Sequence, residues 1–446
     1  MHHALNVLYW TKKMTTSTNE KIGFWTCTSL VVGNMIGSGV FLLPSALAVY
    51  GGISLLGWLF STLGAFVLAI LFSYLSKAMP SVGGPYAYTR EGLGEFAGFL
   101  VAWGYWVSIW CANAAITVAF ISYLSVFFPI LATSNLAAVL TGLGAIWLLT
   151  WVNSRGVKTA GNVQIVTSIL KLCPLVLIAF FGIFYIDWQH FTPFNRSTET
   201  NLSAITSTAT LTLWAYLGME SATIPADNVE NPEKNIPRAT IFGTAIAAFV
   251  YIFGTIAVMG LISPEVLQNS AAPFADAAAK MWGETARQWV ALGAIISTFG
   301  ALNGWILMQG QVPLAMSKDK LLPSVFGREN SKSIPIIGLV LSSILISILM
   351  SMNFSKSLSE QFKFMILLST LTVLIPYLFS AAAFVLILKK QKIEIAKERM
   401  FKLSIAFLAF SYSLWAIVGS GAEVAYWGFI LLMLGVPIFI MMKYKN

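Results

Sequence analysis

Two short stretches rich in glycine and polar residues interrupt apolar runs of this 446-residue chain. The first is residues 33–39 (GNMIGSG), and the second is residues 214–221 (WAYLGMES), which carries the acidic Glu220. A helix broken inside a bilayer leaves backbone donors and acceptors unpaired, and hydrocarbon tolerates them only where they line a cavity enclosed by protein. Close packing at small residues is the alternative interpretation of the glycines. It does not explain a carboxylate at membrane depth, which costs roughly 2.5–3.5 kcal/mol, so the two breaks together predict a binding site.

The elements that must position these breaks are membrane-spanning helices. With 57% hydrophobic and 10% charged residues and a mean hydropathy of +0.77, the chain lies far outside the usual soluble composition. The pattern predicts an all-α polytopic membrane protein and excludes a secreted globular enzyme and a nucleic-acid-binding protein. After a cytoplasmic tail at residues 1–21, we predict a single transmembrane domain over residues 22–443. It contains about twelve helices, which begin near Ile22, Ile53, Phe96, Leu136, Val163, Ile205, Ala239, Trp289, Ile336, Phe364, Leu403 and Trp427.

The two breaks lie in the first and the sixth predicted spans, an arrangement typical of two inverted repeats around a midplane site. We therefore predict a 5+5 inverted repeat over residues of about 22–186 and 204–388, with helices 1 and 6 discontinuous and helices 11 and 12 added over residues of about 400–443. Most of the 27 Lys and Arg residues fall in alternate loops. This asymmetry predicts that both termini are cytoplasmic. We expect an integral protein of the cytoplasmic membrane.

The sequence contains few residues that could support metal or redox chemistry. The three cysteines lie in apolar runs without paired spacing, and we interpret them as small core residues: Cys27, Cys111 and Cys173. Only three histidines occur, two of them at the N-terminus. A P-loop, an HExxH motif and a plausible Ser/His/Asp set are all absent from the sequence. We therefore predict no cofactor, no metal site and no enzymatic activity.

Several motifs resemble those of a known transporter family. Residues 33–44 (GNMIGSGVFLLP) resemble the first-helix signature of the amino acid, polyamine and organocation transporter superfamily. Residues 83–88 (GGPYAY), 214–221 and 231–237 (NPEKNIP) match further motifs of that superfamily. The resemblance runs nearly end to end and is greatest to the basic amino acid and polyamine antiporters, which exchange arginine for agmatine or lysine for cadaverine. It implies exchange of an amino acid, with a cationic preference, against an amine or another amino acid, and it implies a homodimer.

The resemblance also implies roles for individual residues. The implied substrate contacts come from the two broken helices and from other spans: Asn34, Met35, Ser38, Gly39, Ser108, Ile109, Asn113, Trp214, Leu217, Trp305 and Leu367. Backbone N–H groups near Gly39 would bind the substrate carboxylate, and the indole of Trp305 would stack on its side chain. The implied inner gate is Tyr105, Glu220 and Tyr377, and the implied cytoplasmic pH sensor is Tyr86.

Two departures from the antiporter branch leave the substrate and the coupling ion open. Ile109 and Leu367 stand where arginine antiporters have polar or small side chains, so a lysine-like, ornithine-like or uncharged amino acid remains open. Lys171 lies in the fifth predicted span, where proton-coupled members of the superfamily carry a lysine. Desolvation disfavours the charge of a lysine, as a proton carrier requires, although a lysine can also extend to the membrane interface. Proton-coupled uptake is therefore the alternative to exchange, and a transporter-like nutrient sensor is a more remote one.

Overall fold

The computed structural model describes residues 23–37, 39–79, 84–155, 172–223, 229–331, 333–352, 355–390 and 396–445. These ranges contain no β-strand. Their helices of nine or more residues are α1 Phe24–Met35, α2 Gly39–Ala48, α3 Ser54–Ala78, α4 Pro85–Leu93, α5 Glu95–Leu124, α6 Asn135–Ser154, α7 Leu172–Tyr185, α8 Asn201–Leu213, α9 Pro232–Leu261, α10 Pro273–Trp282, α11 Glu284–Lys318, α12 Ile336–Met352, α13 Leu358–Lys390, α14 Ala396–Gly419, α15 Ala422–Met433 and α16 Gly435–Lys445.

The prediction of an all-α polytopic membrane protein is confirmed. Within the described residues, nine stretches of helix are long and apolar enough to cross a bilayer, and the apolar helices α7 and α12 are shorter. The start predicted near Val163 and the tail at residues 1–21 lie outside the described residues. The total of about twelve spans and the inverted repeat stay predictions.

Several helices begin upstream of their predicted starts. The seventh predicted span begins at Pro232 rather than near Ala239, and the eighth at Glu284 rather than near Trp289. The same correction applies to α13, α14 and α15. An apolar run marks where hydrocarbon contact begins, whereas a helix extends beyond it through a polar first turn. Proline at the first helical position and an acidic residue near the N-terminus both favour such a turn, as Pro232 and Glu284 do here.

Both predicted breaks are present as interruptions of a helix. α1 ends at Met35 and α2 begins at Gly39. α8 ends at Leu213 and is followed by two 3₁₀ turns, Trp214–Tyr216 and Met219–Thr223. Between these turns Gly218 has a φ of +99°, a conformation that disfavours any residue with a Cβ atom. A Cβ atom at Gly218 would also lie 3.3 Å from Cβ of Asn34, so the two breaks lie against each other.

The buried helix α5 supports these breaks from one side. It packs extensively against α11 and α13. In its most apolar 18-residue segment, 94% of the residues are buried. Two of the three cysteines lie in the core as predicted, but Cys173 on α7 is exposed. A thiol is small and only weakly polar, so it can face an apolar exterior as readily as an apolar core.

Candidate functional site

A small cavity lies where the two broken helices meet α5, α11 and α13. Nine of the residues that line it were predicted from the sequence: Asn34, Met35, Tyr105, Ser108, Ile109, Trp214, Leu217, Glu220 and Trp305. Six others were not among the predicted site residues: Gly37, Ala112, Ile116, Gly218, Ser369 and Val373. The cavity measures about 40 Å³, which is room for about three water molecules at roughly 10–15 Å³ each. The cavity is therefore too small for a whole amino acid.

Gly39 is in tight contact with an indole ring that lines the cavity. A Cβ atom at Gly39 would lie 2.5 Å from the ring of Trp214, so even an alanine would collide there. The ring of Trp214 packs edge-on against Phe362, with 5.7 Å between ring centroids. The indole N–H of Trp214 is buried and has no hydrogen-bond acceptor among the described residues. Ser38, a predicted substrate contact, lies outside the described residues.

The three predicted inner-gate residues meet at another side of the cavity, and we call them the buried cluster. The Tyr377 hydroxyl donates to Oε2 of Glu220 at 2.6 Å, and the Tyr105 hydroxyl donates to Oε1 at 3.1 Å. Glu220 is only 1% exposed. Hydrogen bonds to a charged acceptor are stronger than neutral ones, and their loss in a buried site is costly. The geometry can therefore hold α5, α13 and the second break together at this point.

Three predicted substrate contacts among the described residues do not line the cavity: Gly39, Asn113 and Leu367. Asn113 is fully buried, and its Nδ2 donates to Oε1 of Gln309 at 2.7 Å. Leu367 is buried in the core and is not part of the lining. Lys171, the predicted proton carrier, lies outside the described residues. Gln309 was missed because a single glutamine in an apolar span carries no signal of which helix it faces.

A second carboxylate cluster joins Tyr86 and Arg90 on the short helix α4 to Asp319 at the end of α11, and we call it the surface cluster. The Tyr86 hydroxyl donates to Oδ2 of Asp319 at 2.5 Å. Nη1 of Arg90 lies 3.0 Å from the same oxygen and donates to the Tyr86 hydroxyl at 3.1 Å. Burial, and then the hydrogen bond to Asp319, raise the pKa of Tyr86 well above its ordinary value of 10.0. The hydroxyl therefore keeps its proton over the whole physiological range.

The search for metal ligands gives a negative result within the part of the chain that the structure describes. No group of three or more His, Cys, Asp or Glu side chains there could hold a metal ion.

Comparison with known proteins places this geometry in context. A family model described as amino acid permease matches residues 22–441. The putrescine transporter PotE of Haemophilus influenzae is 33% identical over 428 residues, which are 96% of this chain and 98% of that protein. The cadaverine/lysine antiporter of Escherichia coli strain K12 is 33% identical over 370 residues, 82% of this chain and 83% of that protein. The putrescine transporter PotE of the same strain is 32% identical over 431 residues.

Proposed function

The chain belongs to the amino acid permease family, and from this premise we propose that it exchanges an amino acid, with a cationic preference, against an amine or another amino acid. Relatives whose names describe a putrescine transporter and a cadaverine/lysine antiporter support this proposal. The protein would lie in the cytoplasmic membrane with both termini inside, as the distribution of Lys and Arg predicts.

The observation that carries the proposal is the small cavity between the two broken helices. Backbone groups freed at such breaks bind the charged ends of small substrates in transporters of this architecture. The N–H groups at the start of α2 would bind the substrate carboxylate, because the N-terminal end of a helix attracts anions. The carbonyls at the end of α1 and near Leu217 would accept from the α-ammonium.

The aromatic wall of the cavity would hold the substrate side chain. Trp305 lines the cavity, and an indole face attracts a cation by about 1–2 kcal/mol when water is excluded. Ile109 and Ile116 line the same cavity and would contact a methylene chain. Since the cavity holds only about 40 Å³, binding would require an outward shift of Trp214 or Trp305. Opening and closing of the two sides in turn would then carry the substrate across.

Radiolabelled uptake into proteoliposomes tests this proposal. Vesicles are loaded with lysine, ornithine, putrescine or cadaverine, or left without any counter-substrate, and labelled amino acids are added outside. Exchange predicts uptake only in loaded vesicles. Uptake into unloaded vesicles on acidification of the outside would favour the proton-coupled alternative, in which Lys171→Ala should remove the response to pH. No uptake of any amino acid or amine under either condition would contradict both.

A further inference from the structure

A fully buried glutamine links three helices beside the cavity. Gln309 on α11 accepts from Nδ2 of Asn113 on α5 at 2.7 Å. Its own Nε2 donates to the backbone oxygen of Leu339 at 3.1 Å and to Oγ of Ser343 at 2.8 Å, both on α12. Each end of the Gln309 carboxamide therefore has a partner, and each partner lies on a different helix from Gln309.

These contacts determine the orientation of Asn113. A backbone carbonyl can only accept a hydrogen bond, so the atom of Gln309 that faces Leu339 must be the Nε2 donor. The opposite end of the Gln309 carboxamide is then its oxygen, which faces Asn113 and requires the Nδ2 donor there. The Oδ1 atom of Asn113 is consequently left as the free end. It is buried and has no hydrogen-bond partner among the described residues.

Both amides lie one helical turn from residues that line the cavity. Asn113 directly follows the lining residue Ala112, and it lies one helical turn after Ile109. Gln309 lies one turn after Trp305 on α11. A buried acceptor without a donor has a free-energy cost in the empty protein. A bound molecule that donates a hydrogen bond to this oxygen would remove that cost. Interhelical adhesion alone, which polar side chains commonly provide in membranes, does not explain an oxygen that is left unpaired.

We propose that Gln309 is a positioning residue for specificity, which orients Asn113 so that it offers the substrate only an acceptor. The substrate class that this selects is a methylene chain ending in an ammonium group, as in lysine, ornithine or a diamine. The apolar residues Ile109, Ala112 and Ile116 would contact the methylenes, and Oδ1 of Asn113 would accept from the terminal ammonium. The inference rests on the proposed function, because it concerns side chains next to the lining of the same cavity.

The test compares lysine with norleucine, which has the same chain without the terminal ammonium. Competition against labelled substrate in proteoliposomes gives the ratio of their affinities for wild-type protein and for Gln309→Met. Methionine has a similar length, but its sulfur is only a weak acceptor and cannot replace the oxygen that accepts from Nδ2 of Asn113. We expect the preference for lysine to fall at least about tenfold in Gln309→Met, the scale of one hydrogen bond to a charged group. In an Asn113→Leu background, adding Gln309→Met should change the ratio no further.

The chain offers a matched control in a second buried amide pair. Nδ2 of Asn153 on α6 donates to Oδ1 of Asn303 on α11 at 2.8 Å, and neither residue lines the cavity. Asn153→Leu removes an interhelical amide bond of the same kind and should leave the lysine preference unchanged. An equal fall in both variants, or no fall in folded Gln309→Met, would overturn the inference.

A measurement on wild-type protein keeps the inference testable even where Gln309→Met does not fold. Lysine trimethylated on Nε keeps its positive charge but has no N–H to donate, so we expect at least about a tenfold weaker affinity than for lysine. Equal affinity would overturn the role of an acceptor. A wild-type protein that exchanges amino acids but prefers norleucine would overturn this inference and leave the proposed function intact. A protein that exchanges nothing would overturn the proposed function itself.

Discussion

Two clusters of this protein join tyrosine hydroxyls to a carboxylate, and they differ in what surrounds that carboxylate. In the buried cluster, Tyr105 and Tyr377 donate to Glu220, which is 1% exposed. In the surface cluster, Tyr86 and Arg90 bind Asp319, and the Arg90 and Asp319 side chains are 41% and 38% exposed.

The cost of losing a similar hydrogen bond therefore differs between the buried and the exposed carboxylate. Water can replace a lost partner of Asp319, so the surface cluster can open and close at small cost. A lost partner of Glu220 leaves a buried acceptor atom without a donor, which a low-dielectric environment makes expensive. We therefore interpret the buried cluster as a firm closure of the cavity and the surface cluster as an adjustable contact between α4 and the end of α11.

The largest expected effect comes from removing both donors of the buried cluster. Tyr105→Phe combined with Tyr377→Phe should lower the free energy of unfolding by about 3–5 kcal/mol, because both oxygens of a buried carboxyl group lose their hydrogen-bond donors. The matched control, Tyr86→Phe combined with Arg90→Leu, should lower it by no more than about 1 kcal/mol. Chemical unfolding in detergent measures both. Equal losses in the two double variants would remove the distinction between the clusters.

The single tyrosine variants of the buried cluster separate the contributions of its two hydrogen bonds to stability. Tyr377→Phe should cost about 1.5–3 kcal/mol, the range for a hydrogen bond to a charged group. Tyr105→Phe should cost less, because its hydroxyl lies 3.1 Å from Glu220 whereas that of Tyr377 lies at 2.6 Å. The same unfolding assay ranks the two variants. A larger loss for Tyr105→Phe would contradict the order of strength that these distances indicate.

Salt should affect only the surface cluster. Screening weakens an exposed pair such as Arg90 and Asp319 within a Debye length of about 10 Å at 0.1 M and about 3 Å at 1 M. The stability difference between wild-type protein and Arg90→Gln, at most about 1 kcal/mol at low salt, should therefore shrink as salt rises. The difference between wild-type protein and Tyr377→Phe should stay constant. A salt-dependent Tyr377 difference would mean that water and ions reach Glu220.

The smallest expected effect is that of pH on the Tyr86 contact near neutrality. The raised pKa of Tyr86 means that the folded protein holds this proton more tightly than the unfolded chain. Its stabilisation is then fully present below the unfolded pKa of about 10 and is lost as pH rises through the folded value. We expect the stability difference between wild-type protein and Tyr86→Phe to stay flat between about pH 6 and 9 and to shrink above about pH 10.

The expected role of Tyr86 as a pH sensor concerns the same hydroxyl proton. Since its hydroxyl stays protonated at neutral pH, a response through Tyr86 would have to act through the groups that bind it. Transport by Tyr86→Phe and by Asp319→Asn, measured across about pH 5–8, separates the two cases. A response lost in Asp319→Asn and kept in part in Tyr86→Phe would show that the sensing needs the Asp319 contact and not the Tyr86 hydroxyl itself.

Much of the fold could be predicted from the sequence because each signal is local to one helix. Apolar runs mark spans, since a backbone in hydrocarbon must form its hydrogen bonds within its own helix. Glycine and polar residues in such a run mark a break for the same reason. The breaks near Gly37 and Gly218 were therefore predictable, and so was the cavity between them. The helix starts at Pro232 and Glu284 were less so, because the end of an apolar run is not the end of a helix.

The partners of polar side chains were decided only by the tertiary structure. Asn113 and Gln309 are 196 residues apart, and Tyr86 and Asp319 are 233 apart. The sequence by itself determined that this is an all-α membrane protein with two broken spans. The reason is that hydrocarbon offers no hydrogen-bond partner to the backbone of any residue in a span. Which amide faces Asn113, and which carboxylate faces Tyr86, depended on the rotation and depth at which the helices pack. Those are properties of pairs of helices, and no single segment of the chain contains them.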